Sequence, residues 1–446
     1  MKYPKRRRRA ARLAGLLAFC GLLAGCSALG IGVAGVDELL RAPRLSGQYS
    51  EVQKALNAYL GESAQLKYPT GGEYLSPFLF EDWDGDGAQD AAVFYTCAAK
   101  GQNVHLAILE QDEAGWFVTQ EQEGLSTGVE SVTAAAMRDA PGTQLVVGYG
   151  NSQGDRFLAV YTYGQETLST VLQQTYSEFL LEDITGNSAQ DLVVIGAEDG
   201  GPLKLQLLTN VDGSFHLAQE LGLGGAQGAD DAGQELFTGC ATLASSIGED
   251  GSHYLVIDGW TGGSGTYLAS GILHYNSRLQ QLERYTPLAV EDLYSTTLRY
   301  FGILRSTDID GDGAVEIPVE LGEEGGIVSL TQDRRFCFVA WQDYTSEYRM
   351  EKSYGVLDAE YGYYLALPPE WKGRVFLGEN EVSDAWEVRG LEDESVYLSV
   401  RLGQAGSAPA GYASIATLGG QKVQVKVGPK ASFLDYPALQ RAFHML

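Results

Sequence analysis

Between residues 76 and 344 apolar and polar positions alternate with a period of two, and Gly, Asp, Asn and Ser break the runs. Val104-His105-Leu106-Ala107-Ile108-Leu109, Phe157-Leu158-Ala159-Val160-Tyr161 and residues 203–208 are examples. This period puts alternate side chains of a strand on a buried face, so the region reads as many short strands joined by turns. One helix is predicted over 49–61, where Val52, Leu56, Tyr59 and Leu60 share a face and Gly61 suits the stop. From about residue 345 the character changes. Tyr348, Tyr354, Tyr361, Tyr363 and Tyr364 cluster there, strands are predicted at 374–377, 395–400 and 422–427, and a short helix at 437–445. The expectation is a mainly-β chain with a small C-terminal α+β domain over 345–446, its tyrosines serving as core and cross-strand pairs.

The turns hold a repeat. Asp82-Trp83-Asp84-Gly85-Asp86-Gly87-Ala88-Gln89-Asp90 returns as Asp308-Ile309-Asp310-Gly311-Asp312-Gly313-Ala314-Val315-Glu316. Both copies carry acids at positions 1, 3, 5 and 9, Gly at 6 and Ala at 7. Hard cations take six to eight oxygens, and alternate carboxylates on a tight loop can converge on one point. The expected Ca²⁺ ligands are therefore Asp82, Asp84, Asp86, Asp90, Asp308, Asp310, Asp312 and Glu316, with the backbone carbonyls of Ala88 and Ala314. An EF-hand needs a Glu at position 12 and flanking helices. Here position 12 is Val93 or Val319, and apolar β-prone residues flank both loops.

A degenerate copy, with Asp183, Thr185, Asn187 and Asp191 at the four oxygen positions, runs into Leu192-Val193-Val194-Ile195. With two fewer acids it should bind Ca²⁺ weakly or not at all. Fainter echoes at 138–144 and 248–252 read only as turns. The turns start near 82, 139, 183, 248 and 308, at spacings of 57, 44, 65 and 60.

A strand, then D-x-D-G-D-G-x-x-[DE], then a strand resembles the FG-GAP or VCBS repeat of integrin-like propellers. That resemblance implies a β-propeller of about five to seven blades over 76–344, with calcium tying strands within a blade. The later phrase Gly362-Tyr363 to Leu367-Pro368-Pro369-Glu370-Trp371 is loosely similar to the opening of small α+β domains of the PsbP type.

The N-terminus adds a targeting signal. Lys2, Lys5, Arg6, Arg7, Arg8, Arg9 and Arg12 precede a short apolar stretch that ends in Leu23-Ala24-Gly25-Cys26. This ending matches the bacterial lipobox, which implies cleavage before Cys26 and a lipid on that cysteine. Residues 1–25 are then a signal peptide, 26–45 a lipidated tether and 46–75 the helix with its lead-in. The chain would be anchored outside the cytoplasm, with the membrane as a partner through Cys26. Loss of residues 1–25 leaves 24 basic against 58 acidic residues, net −34. Such a surface is repelled by phosphate polymers, which excludes nucleic acid as a partner. Cys97, Cys240 and Cys337 remain, an odd number in strand-like surroundings, so no disulfide framework is expected.

Catalytic patterns are weak. Gly150-Asn151-Ser152-Gln153-Gly154 fits G-x-S-x-G, but a strand pattern follows where a nucleophile elbow needs a helix. The five histidines show no zinc spacing. Trp260, beside Gly262 and Gly263, is a candidate for a ligand face. The reading is a lipid-anchored surface protein whose Ca²⁺-stabilised propeller binds protein or glycan without chemistry. Two alternatives stand beside it: an enzyme acting outside the cytoplasm on polysaccharide or peptide, and an envelope assembly or sensing lipoprotein.

Overall fold

A computed structural model describes residues 47–446 except 139, 141, 198–200, 224–236, 249–250, 263–264, 289, 331–334, 346–349 and 405–407. The signal, lipobox and tether fall outside the described residues. So do Tyr348 and Gly263. The chain divides into residues 1–54 and residues 55–446. Of the first part the structure describes the opening turns of helix α1 (Gly47–Leu60), where Val52 is fully buried. The helix ends as its sequence predicts. Gly61 takes φ +73 and returns its N–H to the carbonyl of Asn57 at 3.0 Å, a left-handed stop that suits glycine.

Residues 55–446 hold every described strand, arranged in six sheets. Two short strands come first, β1 (Gln65–Leu66) and β2 (Gly71–Gly72). The first sheet continues with β3 (Phe78–Glu81), β4 (Asp90–Thr96), β5 (His105–Asp112) and β6 (Gly115–Glu123), and β1 joins it by pairing with β4. The second holds β7 (Gly128–Ala136), β8 (Thr143–Gly150), β9 (Arg156–Gly164) and β10 (Thr167–Thr175), with β2 parallel to β7. The third is β11 (Glu178–Glu182), β12 (Asp191–Gly196), β13 (Lys204–Val211) and β14 (Ser214–Gly222). The fourth is β15 (Gly239–Ile247), β16 (His253–Thr261), β17 (Tyr267–Asn276) and β18 (Gln281–Tyr285), followed by the single turn α2 (Leu293–Thr296).

Strands β19 (Glu316–Leu321), β20 (Ile327–Val328), β21 (Phe336–Asp343), β22 (Met350–Asp358) and β23 (Tyr363–Ala366) come next. They are followed by β24 (Val375–Asn380), β25 (Ala385–Gly390), β26 (Val396–Gln404), β27 (Ala413–Leu418) and β28 (Gln421–Val427), then α3 (Tyr436–Arg441) and β29 (Phe443–Met445). The fifth sheet runs β19-β21-β22-β23-β29 and the sixth β20-β24-β25-β26-β28-β27.

Burial explains the stacking. β4 is buried at all seven positions, whereas β10 alternates between exposed and half-buried. A strand covered on both faces lies between layers, and an alternating one lies at a rim. Accordingly, Phe94 and Leu106 of the first sheet share a core with Val147 and Tyr161 of the second. Val146 and Val160 meet Leu192 and Val194 of the third. Val193 and Leu205 meet Leu255 and Ile257 of the fourth, and Val256 meets Ile317 of the fifth. Each of these sheets rests on the next.

The mainly-β expectation holds, and the three strands expected beyond 345 overlap β24, β26 and β28. The expected domain change at 344/345 does not coincide with a break. It lies between β21 and β22, which pair in register from Phe336↔Asp358 to Asp343↔Met350. The apolar sides of β21 and β22 are completed by one another, so their sheet spans the position where composition shifts.

Candidate metal centres

The three loops of the repeat occupy one structural position. Each connects two neighbouring antiparallel segments, and the residue before position 1 pairs with position 9: Glu81↔Asp90, Glu182↔Asp191 and Thr307↔Glu316. Their backbones turn alike. Position 4 has φ +79, +69 and +81 at Gly85, Gly186 and Gly311. Position 6 has φ +90, +65 and +92 at Gly87, Ser188 and Gly313. Ser188 therefore holds a left-handed conformation that costs an L-residue about 1 kcal/mol.

The acid at position 1 shapes the turn. Asp82 accepts the N–H of Gly85 at 2.7 Å on Oδ1 and that of Gly87 at 3.0 Å on Oδ2. Asp308 accepts those of Gly311 and Gly313 at 2.6 and 2.9 Å, and Asp183 those of Asn187 and Ser188 at 2.9 and 2.7 Å. The acid at position 9 is the buried floor. Asp90 accepts from Trp83 N at 3.1 Å and Glu316 from Ile309 N at 2.9 Å. In the third loop Asp191 accepts from Thr185 N at 2.9 Å, one residue later than in the other two. Asp90 is 3% exposed, while Asp191 and Glu316 are 0% exposed.

Burial dominates the electrostatics of these floor acids. It lifts the Asp90 carboxyl to about 7 despite the Trp83 hydrogen bond, with repulsion from Asp84, Glu110 and Asp86 added. It lifts Glu316 to about 7 as well, with repulsion from Asp310, Asp312 and Asp308. Asp191 is raised for the same first reason. Glu316 Oε1 has no hydrogen-bond partner. An ionised, buried, unpartnered oxygen among other acids is costly unless a cation neutralises it.

The donor sets fit such a cation. Ligand oxygens of Asp82, Asp84 and Asp86 lie within 4.8 Å of one another, and so do those of Asp308, Asp310 and Glu316. All are hard carboxylate donors, the class that oxygen-seeking divalent ions use. Asp90 and Asp312 fall outside these two convergent sets. Asp312 instead accepts from Lys352 Nζ at 2.6 Å. In the third loop the neutral Thr185 and Asn187 leave only Asp183 and Asp191 as acids.

Each loop also touches a neighbouring sheet. Thr143 N donates to Trp83 O at 3.3 Å, linking the first loop to the second sheet. Arg138 Nη1 reaches Asn187 O at 3.5 Å in the third loop. Ile247 N donates to Gly313 O and Val315 N to Ser246 Oγ, joining the last loop to the fourth sheet.

Trp260 is half-buried rather than presented to solvent. Added side chains at Gly239 and Gly302 would meet its ring at 3.5 and 2.7 Å. The exposed aromatic pair nearby is Tyr267 and Tyr300, edge to face at 5.0 Å. Asn151 to Gly154 close the β8–β9 hairpin, as the strand pattern after them predicts. All three described cysteines are free.

One cluster was not legible beforehand. Arg156 donates from Nε to Glu130 and from Nη1 to Glu178, the latter at 3.0 Å, and Tyr176 OH donates to Glu130 at 3.0 Å. Glu130 sits on a β-bulge between Val129 and Ser131, a device that re-aims a side chain. Gly150 leaves the room, since a Cβ there would fall 2.2 Å from Glu130 Oε1. These side chains border a cleft that also includes Gly71, Gly72 and Thr133.

No family model matches this chain, and no curated protein matches it. Similar solved structures are distant. A rhamnogalacturonan lyase of Bacillus licheniformis is 12% identical over 75% of this chain and 74% of its own, with a TM-score of 0.31. A putative 6-phosphogluconolactonase from Bacteroides uniformis is 12% identical over 66% and 85%, also at 0.31. The rhamnogalacturonan lyase YesW is 11% identical over 75% and 74%, at 0.30. Likeness at this level carries no assignment of activity.

Proposed function

We propose that this chain is a cell-surface lipoprotein, anchored through Cys26, whose β-propeller is braced by Ca²⁺ and binds a protein or glycan without chemistry. The observation that carries the calcium reading is the floor of the second full copy of the repeat, the loop from Asp308 to Glu316, hereafter the second loop. There the fully buried Glu316 holds an unpartnered oxygen against Asp308 and Asp310. Asp82, Asp84, Asp86 and Asp90 would hold a first ion, and Asp308, Asp310, Asp312 and Glu316 a second, with Ala88 and Ala314 offering carbonyls. The ion supplies only charge: it neutralises the acids and stiffens a turn that already touches the next sheet. Successive meandering sheets that stack in chain order support the propeller reading. The experiment is capture of immobilised glycans and surface proteins by the protein with Ca²⁺ and with EDTA. Capture that disappears in EDTA supports the reading, and Ca²⁺-independent capture removes calcium from the function.

A second reading is an enzyme, favoured by one observation. Glu130 and Glu178 flank one guanidinium beside a cleft, and burial raises Glu178 above the usual carboxylate range despite Arg156. Paired carboxylates in unlike surroundings suit general acid–base work. Turnover of a polysaccharide panel that is lost in Glu178→Gln while the thermal midpoint is unchanged would establish this reading over the first.

A further inference from the structure

We infer that Lys352 is a tethered counter-ion of the second acidic loop that competes with the bound cation, so that the two loops take Ca²⁺ in unequal steps, the first loop before the second. The inference rests on the calcium reading above. The loops share backbone turns and differ in their acids only at position 9, Asp90 against Glu316, and the charges around them add a further difference. In the first loop, Asp86 Oδ1 accepts Ala88 N at 2.6 Å, and a carboxylate oxygen of Asp86 converges with Asp82 and Asp84. In the second, Asp312 Oδ1 accepts Ala314 N at 2.9 Å in the same way. Its Oδ2, however, accepts the Lys352 ammonium at 2.6 Å, and Asp312 is absent from the convergent set of Asp308, Asp310 and Glu316.

Lys352 is carried by β22, a central strand of the fifth sheet, and its side chain is only 18% exposed. Its stem is therefore held while its head reaches the loop. The other acids near it are Asp310 and Asp343. Among the described residues no Lys or Arg forms an ion pair with Asp82, Asp84, Asp86 or Asp90.

Two consequences follow from charge alone. A divalent ion that enters the second loop must displace the ammonium from Asp312 or sit close to a like charge, and either weakens binding. Before the ion arrives, the ammonium neutralises part of the loop and ties it to β22. The first loop has no such brace and depends on the ion itself. Filling of the second loop then frees Lys352, so the second step exposes a cation on a strongly acidic molecule.

The test is calorimetric titration of Ca²⁺ into cation-stripped protein. The wild type should show two steps. In an Asp84→Asn background, which leaves the second loop, Lys352→Met should tighten the remaining step roughly fivefold, the factor set by an ion pair near the upper end of its usual worth. Lys352→Arg should return it toward the starting affinity. Unchanged or weaker binding in Lys352→Met overturns the inference, as do two equal steps in the wild type, while leaving the calcium reading intact. No binding by the wild type at millimolar Ca²⁺ overturns both. Circular dichroism in EDTA checks that each variant folds, and Lys352→Gln serves if Lys352→Met does not.

Discussion

Replacing Glu316 with Gln should reverse sign with Ca²⁺. The side chain is fully buried, one oxygen accepts from Ile309 N, and the other has no partner. Gln keeps the shape and the acceptor, removes the charge, and adds a donor toward Asp308 or Asp310. Burial first, and repulsion second, lift the Glu316 carboxyl from 4.5 to about 7. A raised carboxyl contributes stability that is present below its unfolded value and is lost as pH rises through its folded value. At pH 8, without a cation, the ionised group therefore costs about 3 kcal/mol. The Gln variant escapes that cost. In EDTA at pH 8 it should be more stable than wild type by up to about 3 kcal/mol, and at pH 5 the two should nearly coincide. With Ca²⁺ at a hundredfold excess over Kd, the wild type gains about 2.7 kcal/mol per site, and the variant loses the share of the second loop. Urea unfolding at both pH values, with EDTA and with Ca²⁺, reads all four quantities. A variant that is less stable in EDTA and keeps the full Ca²⁺ increment would refute the reasoning, because Glu316 would then be a structural anchor of an ordinary acidic turn.

Three other outcomes are expected. Ca²⁺ should raise the thermal midpoint of the wild type, and Asp84→Ala and Asp310→Ala should each remove part of the rise. A rise that survives both changes places the ion elsewhere. Asp258→Ala should destabilise by about 3–5 kcal/mol in urea, because fully buried Arg299 donates to Asp258 at 2.7 Å and would lose its counter-charge; a cost under 1 kcal/mol contradicts this. Ser188→Gly should stabilise slightly and Gly313→Ala should destabilise by about 1 kcal/mol, since both positions have positive φ. Equal effects of the two changes in differential scanning would argue against a shared turn.

Local patterns were the legible part of this molecule. The 3.6-residue spacing of Val52 and Leu56 and the stop at Gly61 placed α1, and oxygen side chains at positions 1, 3, 5 and 9 placed three loops whose backbones turn alike at positions 4 and 6. The floor role of position 9 was half legible. The motif marks Asp90 and Glu316 as ligands, but their burial arises because each is also the first residue of a buried strand. Contacts across long separations left no local signal. Lys352 is 40 residues from Asp312, and Arg299 is 41 from Asp258. Glu130 depends on a bulge and on a missing side chain at Gly150, neither of which alters the period-two pattern. The shift in composition near 345 reflects a run of tyrosines that complete a sheet already begun.

The fifth sheet is finished by β29, which pairs with β23 after the chain has built the five later strands of the sixth sheet. During synthesis, then, the edge of β23 waits while β24 through β28 emerge. A waiting edge is a template for the wrong partner. The sixth sheet thus emerges between strands of the fifth, and the fifth alone stays incomplete until residues 443–445 arrive. Folding of this protein is therefore sensitive to events late in the chain: a stall or a clip just upstream of Phe443 would leave the fifth sheet unfinished although the sixth is complete.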